Sequence, residues 1–230
     1  VSNAGALTIG EVSGLTGVAA PAGDISIASD QAITISEAVD TSAGNGNITL
    51  TASDVELTAA VTAGSGNVTL QPVSGQTIAL GAVSESGEFV VTAAEFDQIT
   101  TLGLLTIGNA AAGDIVVTGT FLASGSGGLT LQTGGSFNLE QNFQTAGTLN
   151  INAGSAALDG NITTGGNLNV DLSGGTGTLT GSTILTSSGT LNLDNAVFQV
   201  DGFQFVVGAA GQLTVCSGTT MNDPAGGIID

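Results

Sequence analysis

The sequence predicts an all-β fold, a parallel β-solenoid of about eleven coils of roughly twenty residues each, spanning residues 1–230 as a single domain. Three observations carry it. An apolar–polar–apolar triplet recurs, its first members being Leu7, Ile25, Ile48, Val68, Phe89, Leu105, Leu129, Leu149, Leu168, Leu191 and Leu213, at spacings between 16 and 24 residues. The middle residue is patterned too, reading Thr8, Ser26, Thr49, Thr69, Val90, Thr106, Thr130, Asn150, Asn169, Asn192 and Thr214. Gly-rich turns punctuate the triplets, among them Gly44-Asn45-Gly46, Gly64-Ser65-Gly66, Gly125-Ser126-Gly127-Gly128, Gly134-Gly135, Gly165-Gly166 and Gly174-Gly175.

Each element follows from side-chain periodicity. In an extended strand alternate residues face opposite ways, so the flanks of a triplet point inward and the middle residue outward. Stacked coils then display a column of Thr followed by a column of Asn, and Asn side chains can bond one another up such a ladder. A second triplet trails the first by seven to eleven residues, as in Ile33/Ile35, Val55/Leu57, Ile78/Leu80, Ile115/Val117 and Phe137/Leu139. The glycines are read as suppliers of the positive φ that sharp corners need. Pro21, Pro72 and Pro224 all fall outside the triplets.

The rhythm breaks between Ser84 and Gly103. There Thr92-Ala93-Ala94-Glu95 has capping-box spacing, which predicts a short helix from Ala93 to Ile99 with Phe96 and Ile99 turned inward. This helix is either a decoration on the rod or a docking element. Phe198, Phe203 and Phe205 lie close together in sequence and read as the last of the core, or else as an aromatic patch that receives a neighbour. Neither 1–14 nor 219–230 contains an amphipathic capping helix, and the chain starts at Val rather than Met. The expectation is a processed or excised segment whose rod continues, in a longer chain or by end-to-end stacking of copies.

Composition prunes function. The chain has no Lys, Arg or His, and 19 carboxylates give it a formal charge of -19. Side-chain salt bridges are impossible. Nucleic acid and anionic membrane surfaces are repelled, since both are bound through cations. Histidine acid–base chemistry and Ser-His-Asp triads are excluded. Cys216 stands alone, so it is a small buried or corner residue or the seat of an intermolecular disulfide. No stretch of membrane-spanning length and no signal peptide is visible.

Carboxylate pairs occur at Asp54/Glu56, Glu85/Glu88 and Glu95/Asp97. Such pairs can hydrolyse glycosides, but Asp54 and Glu56 flank an inward Val55 and are read as solvated. The sequence therefore nominates no catalytic, cofactor-binding or metal-ligating residue, and the chain is expected not to be an enzyme. Calcium is the one cofactor these acids would suit, although the Gly-Gly-x-Gly-x-Asp repeat is absent. The Thr column resembles an ice-binding face, but its switch to Asn and the unequal coil lengths spoil a lattice match.

The Gly-Asn-[Ile/Val]-Thr-Leu phrases at 46–50 and 66–70 resemble the repeat regions of filamentous-haemagglutinin-type, two-partner-secreted bacterial surface proteins. So do the run from Phe89 to Ile99 and the phrases at 104–108 and 113–117. The resemblance implies a right-handed parallel β-helix, secreted to the bacterial cell surface as stalk, adhesin or fibre. The Asn-Pro-Asn phrases of that family's secretion module are missing, as is Arg-Gly-Asp. The expected function is a stiff structural rod whose partner is itself or further repeats. The alternative is a ligand-binding module for glycan, calcium or ice. An acidic coat keeps neighbouring rods apart within a Debye length of about 8 Å, and near the sequence isoelectric point of about 4.1 that repulsion fades.

Overall fold

The computed structural model describes residues 1–73, 75–81, 88–123, 125–179, 184–187, 189–194, 197–200, 204–207, 212–215 and 219–222. The chain winds into a β-solenoid; among the described residues the strand pairs are all parallel, apart from one antiparallel bridge between Val12 and Leu15. Three walls enclose the core. The first is a continuous sheet of ten strands, from Ser2–Asn3 through Ile25–Ser29, Ile48–Ala52, Val68–Pro72, Leu104–Gly108, Gly128–Gln132, Thr148–Asn152, Leu168–Asp171 and Leu191–Asp194 to Leu213–Val215.

Its register superposes the predicted column: Ile25, Ile48, Val68, Leu105, Leu129, Leu149, Leu168, Leu191 and Leu213 stand one above another. Leu7 and Phe89 do not belong to it. Leu7 pairs with Ile33, and Phe89 with Ile78, both on the second wall. The first wall thus has ten rungs, not eleven. The misplacement has a simple cause: a triplet on any wall shows the same alternation, so periodicity alone cannot say which wall it joins.

The second wall begins as a three-stranded sheet of Leu7–Ile9, Ile33–Ile35 and Val55–Leu57. It resumes as an eight-stranded sheet, in spatial order Phe89–Val91, Ile78–Leu80, Ile115–Val117, Ser136–Leu139, Ser155–Leu158, Thr176–Leu179, Val197–Val200 and Thr220–Asn222. The third wall is likewise split. Val18–Ala19, Val39–Asp40, Val61–Gly64 and Ile99–Thr101 form one sheet; Phe121–Ala123, Phe143–Thr145, Ile162–Thr164, Ile184–Ser187 and Gln204–Val207 form the other.

Alternation does what the sequence predicts. Along Ile48–Ala52 the inward residues are buried and the outward ones half-buried. Ile48, Leu50, Ile33, Ile35, Val39 and Phe137 are all 0% exposed. The second triplets stack on the second wall, with Ile33 on Val55 and Ile78 on Ile115 on Phe137.

The break in rhythm is real, but it is more than a decoration. After Ile78–Leu80 the chain returns to lay Phe89–Val91 beside that strand, on the side facing Val55–Leu57. The second wall therefore gains a strand. The helix spans only Ala93–Phe96, shorter than predicted, and carries the predicted capping box: Thr92 N–H donates to Glu95 Oε2 at 2.8 Å and Glu95 N–H to Thr92 Oγ1 at 3.3 Å. It ends early because Ile99 is recruited into the third wall beside Val61. Phe96 and Ile99 are buried, as expected. Cys216, Phe203, Pro224 and Glu85 lie outside the described residues, as do the side chains of Phe198 and Phe205.

Candidate functional site

Four places concentrate polar groups or exposed apolar surface, and the first two are columns of like residues. The first is the corner leading into the first wall. The residue before each first-wall triplet is Asp24, Asn47, Asn67, Leu104, Gly128, Thr148, Asn167, Thr190 or Gln212. Where this residue is Asp or Asn, its side-chain oxygen accepts the backbone N–H of its counterpart one rung up: Asn47 N–H to Asp24 Oδ1 at 2.7 Å, Asn67 N–H to Asn47 Oδ1 at 2.9 Å, Leu104 N–H to Asn67 Oδ1 at 2.9 Å, Thr190 N–H to Asn167 Oδ1 at 2.9 Å. The Asn of the Gly-Asn phrase is an inter-rung acceptor that sustains bonding where the ladder turns.

The Gly of that phrase has a role the sequence reading misassigned. Gly46, Gly66, Gly103, Gly127 and Gly147 do not have positive φ. They are glycines because a Cβ on Gly46 would collide with the carbonyl oxygen of Gly23, and one on Gly66 with that of Gly46. Close stacking of corner on corner is the constraint. Gly64, at φ 59, does need the left-handed region. Buried threonines close the same corner from the third wall: Thr41 Oγ1 donates to Gly46 O at 2.6 Å, Thr145 to Gly147 O at 2.9 Å and Thr164 to Gly166 O at 3.0 Å.

The second place is the outer face of the first wall. Here the Asn ladder forms as predicted: Asn150 Nδ2 donates to Thr130 Oγ1 at 3.1 Å, Asn169 Nδ2 to Asn150 Oδ1 at 2.7 Å and Asn192 Nδ2 to Asn169 Oδ1 at 2.5 Å. Beside it Asp171 and Asp194 lie in register on adjacent rungs, and a shallow open groove is lined by these two with Asn169, Val170 and Asn192. Among the described residues no three His, Cys, Asp or Glu side chains gather to hold a metal.

The third place is the gap between Val55–Leu57 and Phe89–Val91. No ladder pairing joins these strands. Carboxylates stand in for it: Asp54 Oδ1 accepts Val90 N–H at 2.9 Å and Val55 N–H at 3.0 Å, while Glu95 Oε1 accepts Leu57 N–H at 3.2 Å. Asp54 is therefore not a solvated flank, as the alternation suggested, although Glu56 is exposed. Burial pushes the Asp54 carboxyl up, against the pull of the Val90 and Val55 N–H groups and with the Glu56 charge adding to the rise. Asp40, at a third-wall corner, is held low by hydrogen bonds from the Ser42 side chain and backbone. Of the paired acids, Asp54 and Glu95 are brought together as backbone acceptors at one gap, and Glu56 and Asp97 remain exposed.

The fourth place is the lower end of the core, an open groove lined by Val1, Ile9, Val18, Asp24, Ile25, Ser26 and Ile27. Comparison with protein-family models, curated proteins and solved structures finds no match. No helix among the described residues is long and apolar enough to cross a membrane. The polar columns and the open end therefore carry the functional reading by themselves.

Proposed function

We propose that this chain is a non-enzymatic structural rod, part of an extracellular fibre or adhesin stalk of the filamentous-haemagglutinin type. In this reading it is secreted to a bacterial cell surface, and its working partner is another solenoid end. That end belongs to a second copy or to further repeats of a longer chain. The observation that carries the reading is the first coil. Leu7, Ile9 and Val18 are only half-buried, whereas Ile33, Ile35 and Val39, their register partners one rung up, are 0% exposed. One more coil beneath would complete the burial and pair the free edge of the Leu7–Ile9 strand. Burial of apolar surface at about 25 cal/mol per Å² favours such stacking.

Negative-stain microscopy should show rods longer than the roughly 50 Å expected of about ten rungs at ~4.8 Å each, and Leu7→Asp should return them to single length. Isolated short rods at every concentration would remove the stacking proposal. Light scattering should rise between pH 7 and pH 4 as the acidic coat loses charge. A second reading, a ligand-binding module, draws support from the groove beside Asn169, Asp171, Asn192 and Asp194. Calcium titration by calorimetry and a glycan array test it, and Asp171→Asn should abolish any calcium signal.

A further inference from the structure

We infer that the junction between Val55–Leu57 and Phe89–Val91 is a hinge, latched by the side chains of Asp54 and Glu95. Strand count is the first argument. From Ile48–Ala52 to Leu104–Gly108 the first wall takes two ladder steps, by way of Val68–Pro72. From Val55–Leu57 to Ile115–Val117 the second wall takes three, by way of Phe89–Val91 and Ile78–Leu80. One strand spacing is about 4.8 Å, so the two walls cannot both keep unbroken, equally spaced ladders through this level.

The wall with the extra strand gives way. The second wall parts below Phe89–Val91, and the third wall parts above Ile99–Thr101. Only the first wall runs through, with Ile48 on Val68 on Leu105. The two partings are offset by one rung, and the segment that passes between them contains the Ala93–Phe96 helix. At the third-wall parting the corner stays tied, since Thr101 N–H donates to Gly125 O at 2.9 Å. At the second-wall parting the described bonds across include Val90 N–H to Asp54 Oδ1, Leu57 N–H to Glu95 Oε1 and, at the corner before the strands, Gln76 Nε2 to Ser53 O at 3.1 Å, each with a side chain on one side. Glu95 also accepts from the Thr92 N–H and hydroxyl, so one carboxylate fixes the helix cap and the lower strand together. The unbroken wall is the pivot, and the two carboxylates hold the opposite side shut. Opening separates the blocks without breaking a first-wall bond.

Native-state hydrogen exchange on the full chain tests this. In the wild type the Leu57 and Val90 amides should exchange at least about tenfold faster than the Leu50 and Leu70 amides of the first wall. Asp54→Ala with Glu95→Ala should speed Leu57 and Val90 by about another tenfold while leaving Leu50 and Leu70 unchanged. Asp54→Asn by itself retains the Oδ1 acceptor of the Val90 and Val55 N–H groups, leaves both Glu95 oxygens in place, and should keep wild-type protection. Equal rates on both walls in the wild type would overturn the hinge. So would a uniform rise on all walls in the double-alanine variant, or its failure to fold, because the seam would then open only with the whole molecule.

Discussion

Two stretches of the rod solve the same problem differently. Between Gly128 and Thr164 all three walls carry unbroken ladders: Gly128–Gln132 on Thr148–Asn152, Ser136–Leu139 on Ser155–Leu158 and Phe143–Thr145 on Ile162–Thr164. Its acids, Glu140 and Asp159, are exposed. Between Val73 and Leu102 an extra strand enters one wall, two ladders part, and carboxylates take the place of carbonyls. Equal coils let backbone pair with backbone; an unequal coil leaves donors over, and buried donors demand an acceptor. The difference teaches that coil length sets which chemical group closes the ladder.

The largest effect should come from the cores. Phe137→Ala, in the regular stretch, should cost about 4 kcal/mol in denaturant unfolding, because a stacked core collapses little around the cavity. Phe89→Ala at the parted edge should cost less, about 3 kcal/mol, and equal costs would erase the distinction between the regions. Next comes the corner column. Gly66→Ala forces a Cβ into the Gly46 carbonyl and should cost about 3 kcal/mol, whereas Gly23→Ala meets open space and should stay within about 0.5 kcal/mol.

Asp54→Ala removes the acceptor of Val90 N–H and should cost about 2 kcal/mol. Asp54→Asn keeps an acceptor and sheds a half-buried charge, so it should be neutral or stabilising at pH 7. Asn169→Ala on the half-buried ladder should cost about 1 kcal/mol. A pH series sharpens the contrast. The Asp54 carboxyl sits above its unfolded value, so the folded state holds its proton more tightly. Its favourable contribution is present below the unfolded carboxylate pKa and is lost as pH rises through the folded one. Asp40 runs the other way. Its contribution is present above the unfolded pKa and is lost as pH falls through the lowered folded one. Melting curves should therefore show Asp54→Asn gaining on the wild type as pH rises from 4 to 7, and Asp40→Asn gaining as pH falls below the ordinary carboxylate range.

The solenoid, its inward columns, the Asn ladder and the capping box at Thr92 and Glu95 were all legible from residue order. They are local: alternation of period two and a three-residue offset are properties of neighbours in the chain. Which wall Leu7 and Phe89 join was not legible, because every wall shows the same alternation. Nor was the reason for Gly46 and Gly66, which lies in the carbonyl of the coil below. The Gly-Asn repeat did hold a signal for the corner acceptors, since Asn47 and Asn67 fall at equal distance before their triplets.

Sequence by itself determined that this chain coils and which side chains face in, because burial selects apolar residues at fixed spacing. Only the tertiary structure decided where the coils fail to match and what closes the gap. Asp54 lies 36 residues before the Val90 amide that it holds. Contact at that separation is set by the count of strands stacked between the ends of the rod, a quantity that no local pattern contains.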